Sequence, residues 1–157
     1  MKKLLLFPLL IIVKTALSQT DTSIINFINP PVLAAPHGYA QTAQIDLGNC
    51  KMIIISGQVA FDNKGTLVGN GDFEKQAEQV FLNLKNTVES AGGSMDDIVK
   101  LGIYVIDMSQ IQTLRAVRDK FVNVKHPPAS TLVQVNKLFR DDVLIEVEAT
   151  AIVPNKK

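Results

Sequence analysis

Cysteine occurs once, histidine twice, and aromatic residues make up 6% of the chain. Each scarcity removes a class of function. The lone Cys50 has no intramolecular partner, so no disulfide scaffold is available and stability must come from core packing or from association of copies. A packed small thiol is the ordinary role of such a residue. His37 and His126 stand 89 positions apart, neither with a cysteine or acid at ligand spacing, so no metal site is expected. No basic stripe interleaves with the few aromatics, which argues against nucleic acid as a partner. Gly65, Gly69 and Gly71 lack the Lys-Ser/Thr that follows in a phosphate loop and the strand-to-helix setting of a dinucleotide fingerprint. There is no nucleophile elbow. Ser56, Ser130 and Thr131 have no evident base partner in sequence, which disfavours a serine nucleophile.

A long apolar run is missing as well. Residues 4–13 are apolar, but ten positions are too few to cross a bilayer. With Lys2-Lys3 before them and Ala16-Leu17-Ser18 after, they read as an export signal over residues 1–18, cut before Gln19. The expected destination is the periplasm or the exterior, with no stable membrane anchor after cleavage. The signal holds three lysines and no acid, so 16 basic residues become 13 against 15 acidic ones in the remaining 139 residues. A mature charge near −2 further disfavours binding to a phosphate backbone.

What remains is ordinary globular composition, 46% hydrophobic and 20% charged, in one domain's length of chain. Residues 19–33 read as a polar tail leading into an edge segment that ends at Pro30-Pro31. Residues 34–42 carry Pro, Gly and small residues around one aromatic, a loop that places Tyr39. Residues 43–47 alternate as a strand, Gly48-Asn49 is turn chemistry, and residues 51–59 resume as a strand, together a hairpin. Met52-Ile53-Ile54-Ile55 is apolar on both parities and is expected centrally, with both faces covered. Gly57 inside that strand signals a bulge or the close approach of another group. Asp72 stands at an N-cap position before Phe73, Ala77, Val80, Phe81, Leu84 and Val88, an amphipathic helix closed by Gly92-Gly93. Ser94 and Asp97 begin a short turn before a strand over residues 101–106. Ser109 is expected to cap a second helix with Ile111, Leu114, Val117 or Arg118, and Phe121 inward. His126-Pro127-Pro128 forces an extended entry to two closing strands, read as a hairpin-like pair. In the last of these, Glu146 and Glu148 share a face, where either a solvated surface or a function accounts for two carboxylates.

This order predicts a two-layer α+β sandwich, a mixed sheet of about six strands with two helices on one face. Because the central strands are apolar on both parities, the other face is expected to bury against copies of the chain.

Taken together, Tyr39-Ala40-Gln41, Gly48-Asn49, Ile54-Ile55-Ser56-Gly57-Gln58, a helix bearing Gln76, Gln79, Asn83 and Leu84, Asp97-Ile98-Val99-Lys100, Asp107-Met108, Pro128-Ala129 and Ile145-Glu146-Val147-Glu148-Ala149 resemble the RidA (YjgF/YER057c/L-PSP) family over residues 36–153. The resemblance implies a chorismate-mutase-like fold for the domain at residues 34–157. It also implies a homotrimer whose sheets form a central barrel, and small-molecule clefts between subunits. It implies hydrolysis of reactive 2-imino or 2-enamino acids to 2-oxo acids and ammonia, without metal or organic cofactor. Ser56 and Gly57 would line the cleft, Tyr39 would close it, and Glu146 would hold the attacking water.

One position departs from the pattern. The deaminating subfamily carries an arginine after Pro-Ala that grips the substrate carboxylate, whereas Ser130 follows Pro128-Ala129 here. One neutral hydroxyl in place of a charged fork loses about 2–4 kcal/mol of binding. Arg115, Arg118 and Arg140 are candidates for a substitute, with Arg115 taken first from its place on the second helix. Two readings follow, an imine or enamine deaminase on an atypical substrate and a non-catalytic binding or scaffold trimer. A ribonuclease or translation-inhibitor activity, the older family label, is opposed by export and by the acidic mature charge.

Overall fold

A computed structural model describes residues 23–155. The signal reading at residues 1–18 and the start of the tail lie outside them. The strands are β1 (Ile25–Ile28), β2 (Thr42–Asp46), β3 (Cys50–Gln58), β4 (Ile98–Val105), β5 (Ala129–Gln134) and β6 (Ile145–Pro154). The helices are α1 (Phe73–Ser90) and α2 (Ile111–Arg118). The sheet order is β1-β2-β3-β6-β4-β5, antiparallel except where β5 pairs in parallel with β4. This is the expected six-stranded mixed sheet with two helices. It is open within one chain.

Local chemistry accounts for α1 at both ends. The Asp72 carboxylate accepts from Lys75 N at 3.1 Å, satisfying one of the unpaired amides of the first turn. At the other end Gly93 N donates to Val88 O and Gly92 N to Glu89 O, and Gly92 takes φ +89°, a conformation that side chains oppose. Between these caps Phe73, Ala77, Val80, Phe81, Leu84 and Val88 are buried against Ile53 and Ile55 of β3 and Ile145, Val147, Ala149 and Ala151 of β6. Burial of these six side chains contributes about 8–15 kcal/mol before chain entropy is subtracted.

The hairpin of β2 and β3 forms as expected, with Ile45 opposite Met52. The closing pair does not. β5 and β6 are not neighbours; β5 runs beside β4 after the α2 crossover, and β6 inserts between β3 and β4. The hairpin-like reading fails because residues 135–144 form a connection too long to dictate antiparallel pairing, and the apolar inner face of β6 takes the most buried place in the sheet. Ser109 does not cap α2; the Asp107 carboxylate accepts from Ser109 N at 2.8 Å and caps a 3₁₀ turn that leads into α2, whose own N-cap, Gln110, makes no side-chain cap bond. Phe121 falls beyond the helix yet still stacks on Phe81, ring centroids 5.7 Å apart. Cys50 is free and half-buried rather than fully packed.

The second sheet face is uncovered within the chain. Ile54 is 45% exposed there, and Phe27 of the paired edge strand is 73% exposed. Ile25, Phe27, Ala43, Ile45, Met52, Ile54 and Ile152 share this face across β1, β2, β3 and β6.

Gln76 joins the two layers. It is wholly buried; its amide donates to Gly69 O at 3.1 Å and Asp142 O at 2.7 Å, and its carbonyl accepts from Leu144 N at 2.8 Å. Gln76→Ala is expected to lower stability by about 2–4 kcal/mol, because three backbone groups lose their buried partner; urea unfolding measures it.

Candidate active site

The expected bulge falls at the end of β3. Register passes from Ile55 opposite Ala149 to Gln58 opposite Val147, so Ser56 and Gly57 together face one residue of β6. The second expectation for Gly57 holds too. A β-carbon built on it would collide with Oε1 of Glu146. The bulge turns the strand, and the missing side chain lets the Glu146 carboxyl lie against bare backbone.

Around this contact the chain forms a cleft of about 690 Å³. Its floor is Ser56, Gly57, Gln58 and Glu146; loop residues Leu33, Ala34, His37 and Tyr39 form one wall, and Phe61, Asn83, Phe139 and Arg140 form the other. Both walls are fastened to β3. Ser56 Oγ donates to Ala40 O at 2.7 Å, Ser56 N to Gln41 O at 3.0 Å, and Gln58 Nε2 to Gln41 Oε1 at 2.9 Å. Opposite them, Asn83 Nδ2 of α1 donates to Val59 O and Phe61 O, and its own carbonyl accepts from Gln79 Nε2 at 2.8 Å. The side chains of Gln41, Ser56, Gln58 and Asn83 are thus tied to backbone carbonyls, which favours a site of fixed shape.

Glu146 is the exception. Among the described residues no hydrogen bond or salt bridge engages its carboxyl. Burial raises its pKa above the ordinary carboxylate value, and the neighbouring Glu148 adds to the rise. Glu148, two residues along, is exposed and accepts from Tyr104 Oη at 3.2 Å. A half-buried carboxyl without a cation, facing a cleft, is suited to taking and returning protons.

The expected residues separate into two groups. Tyr39, Ser56, Gly57 and Glu146 meet at this cleft. Within one chain Ser130 and Arg115 lie apart from it. Ser130 stands exposed on edge strand β5, opposite Leu101, with β4 intervening between it and β6. Arg115 lies in the last turn of α2, also exposed. The arginine at the cleft is Arg140, from the connection before β6. Phe139 and Phe61 beside it, with Gln41, Gln58 and Asn83, escaped individual assignment because they come from four separate segments.

The family model for Endoribonuclease L-PSP matches residues 32–153. The chain belongs to the RidA (YjgF/L-PSP) family. Within that family the 2-iminobutanoate/2-iminopropanoate deaminase of Salmonella typhimurium is 37% identical over 126 residues, 79% of this chain and 92% of the relative. A RutC family protein of Pyrococcus horikoshii is 34% identical over 123 residues, 78% of this chain and 91% of the relative. Among solved structures, RidA from an Antarctic Psychrobacter species superposes with a TM-score of 0.71 at 32% identity, covering 82% of this chain and 99% of that one. The RidA fold is thereby shared over about four fifths of the chain, 82% of it.

The raised pKa of Glu146 has a consequence for stability. A carboxyl whose folded pKa exceeds its unfolded value favours the fold below the unfolded value, and this contribution is lost as pH rises through the folded pKa. Glu146→Gln, a neutral isostere, is therefore expected to melt above the wild type at pH 7, with the gap closing below about pH 4.5. Thermal unfolding at several pH values checks both parts.

Proposed function

We propose that this RidA protein is an exported imine or enamine deaminase, a homotrimer whose clefts lie between subunits. The observation that carries the reading is the Glu146 carboxyl, uncompensated, with a raised pKa, resting on the bare backbone of Gly57 in a cleft. The 37% identity to a protein named 2-iminobutanoate/2-iminopropanoate deaminase supports it at the level of the family.

An imine carbon is already electrophilic, so hydrolysis needs a placed water and a proton carrier. Glu146 takes a proton from the water as its oxygen bonds to the imine carbon and the C=N electron pair moves to nitrogen. It then returns the proton to the amine of the carbinolamine. The same carboxyl then takes the hydroxyl proton and delivers it to that nitrogen as the C–N bond breaks, so ammonia leaves and the carbonyl forms. Backbone groups of Ser56 and Gly57 border the reacting atoms, and Tyr39, 54% exposed on its loop, stands at the mouth. A second reading, a ligand-binding trimer without turnover, is favoured by Ser130, a hydroxyl where the deaminase pattern expects a guanidinium.

The apolar face bearing Ile54 and Phe27 supports the trimer. Ile54→Lys is expected to reduce the particle from three chains to one in sedimentation or light scattering, without loss of secondary structure. Glu146→Gln is expected to lower ammonia release from an enzymatically generated 2-imino acid by about 10²–10⁴-fold. Wild-type protein that releases no ammonia above the uncatalysed rate, yet gains melting temperature with a ligand, would favour the second reading.

A further inference from the structure

Among the described residues lining the cleft, Arg140 is the only arginine and no lysine joins it. It is held from two sides, by a carboxylate and by a ring. Its Nε donates to Asp142 Oδ1 at 2.9 Å and its Nη2 to Asp142 Oδ2, so one edge of the guanidinium is taken by a carboxylate fork. Its Cζ lies 5.2 Å over the ring of Phe61, and that ring is braced edge-on by Phe139, centroids 6.1 Å apart. The backbone carbonyl of Asp142 is itself fixed by the buried amide of Gln76. This differs from the usual surface arginine, whose long side chain must be ordered when a partner arrives.

The bonding pattern leaves a specific vacancy. A guanidinium carries five N–H groups. Asp142 occupies the Nε–Nη2 edge, and among the described residues no partner occupies Nη1 or the second hydrogen of Nη2. These form a second fork of the same geometry on the adjoining edge, on a side chain 46% exposed at the cleft wall. A carboxylate is the ligand group that fits such a fork with two parallel bonds. Glu146, the other charged group of the cleft, repels an anion, so a charged ligand end is driven toward Arg140 and away from the proton carrier.

We propose that Arg140 is the anion anchor of the cleft, its free edge binding the carboxylate of a small 2-imino or 2-oxo acid and setting which end of the ligand faces Glu146. The assignment rests on the deaminase reading for the identity of the acid, but its geometry is independent of turnover. It makes Arg140 a specificity residue supplied by the connection before β6, a different element from the strand that bears Ser130. Because Asp142 already compensates part of the charge, binding by the free edge is moderate and weakens with salt.

The test uses calorimetric titration of the full chain with two probes, 2-oxobutanoate and its neutral amide. Wild type is expected to prefer the carboxylate by about ten- to a hundredfold. Arg140→Ala should bring that ratio close to one, and Arg140→Lys, which keeps the charge but loses the fork, should fall between. Melting temperatures report whether each variant folds; should the alanine variant fail to fold, the lysine variant alone decides. A preference unchanged in the variants, or no preference in wild type, overturns the anchor. Ammonia release separates the two readings. Turnover with undiminished carboxylate preference in Arg140→Ala keeps the deaminase and removes the anchor. A preference lost in that variant with no turnover in wild type keeps the anchor and removes the deaminase.

Discussion

The side-chain amide of Gln76 is the junction on which the rest of the molecule depends. Two segments apart in sequence, the loop at Gly69 and the stretch from Asp142 to Leu144 that enters β6, take backbone hydrogen bonds from one buried residue of α1. A buried amide with all its groups paired specifies position, since any displacement leaves polar atoms unsatisfied in an apolar setting. The position specified is the start of β6. From there the strand register decides that Glu146 meets the bulge at Gly57. A helix residue that touches no ligand thus fixes both charged groups of the cleft, Glu146 through the strand and Arg140 through Asp142.

The two glutamates of β6 show how neighbouring positions acquire different chemistry. Each lies over a glycine of a flanking strand: Glu146 over Gly57 of β3, and Glu148 over Gly102 of β4, where a β-carbon would come within 2.6 Å of the Glu148 carboxylate. Glu148 is exposed and bonded to Tyr104, whose hydroxyl it holds protonated to higher pH. Glu146 is half-buried and unpaired, and its proton is correspondingly harder to lose. The difference arises from what surrounds each carboxylate, not from residue type.

Much of this was legible in the residues. Asp72, Gly92 and the spacing of Phe73 through Val88 announce α1 and both its ends, because helix caps and amphipathic period are local physics. Gly57 announces a bulge or an intruding group, and both are present. The apolar outer residues of β3 announce a face needing cover, although one chain leaves Ile54 exposed. Non-local pairing was not legible: nothing in residues 129–153 distinguishes a hairpin from two strands that take separate places in the sheet. Arg140 outranks Arg115 only after Phe61, Asp142 and Gln76 are brought together from three segments. Asp107, rather than Ser109, caps the second helical segment because a 3₁₀ turn begins two residues earlier than the helical period suggests.

The place of β6 bears on how the chain comes into being. β1, β2 and β3 form one half of the sheet and β4 with β5 the other; β3 and β4 never pair, and β6 alone bonds to both. The element that unites the sheet is therefore the last to be synthesised, with Pro154 returning to pair with Cys50. Until then the nascent chain holds two partial sheets and a helix with no complete surface to cover, a state of long loops and weak mutual attraction. A truncation inside β6 would not trim this protein's edge; it would remove the seam along which its two halves are sewn.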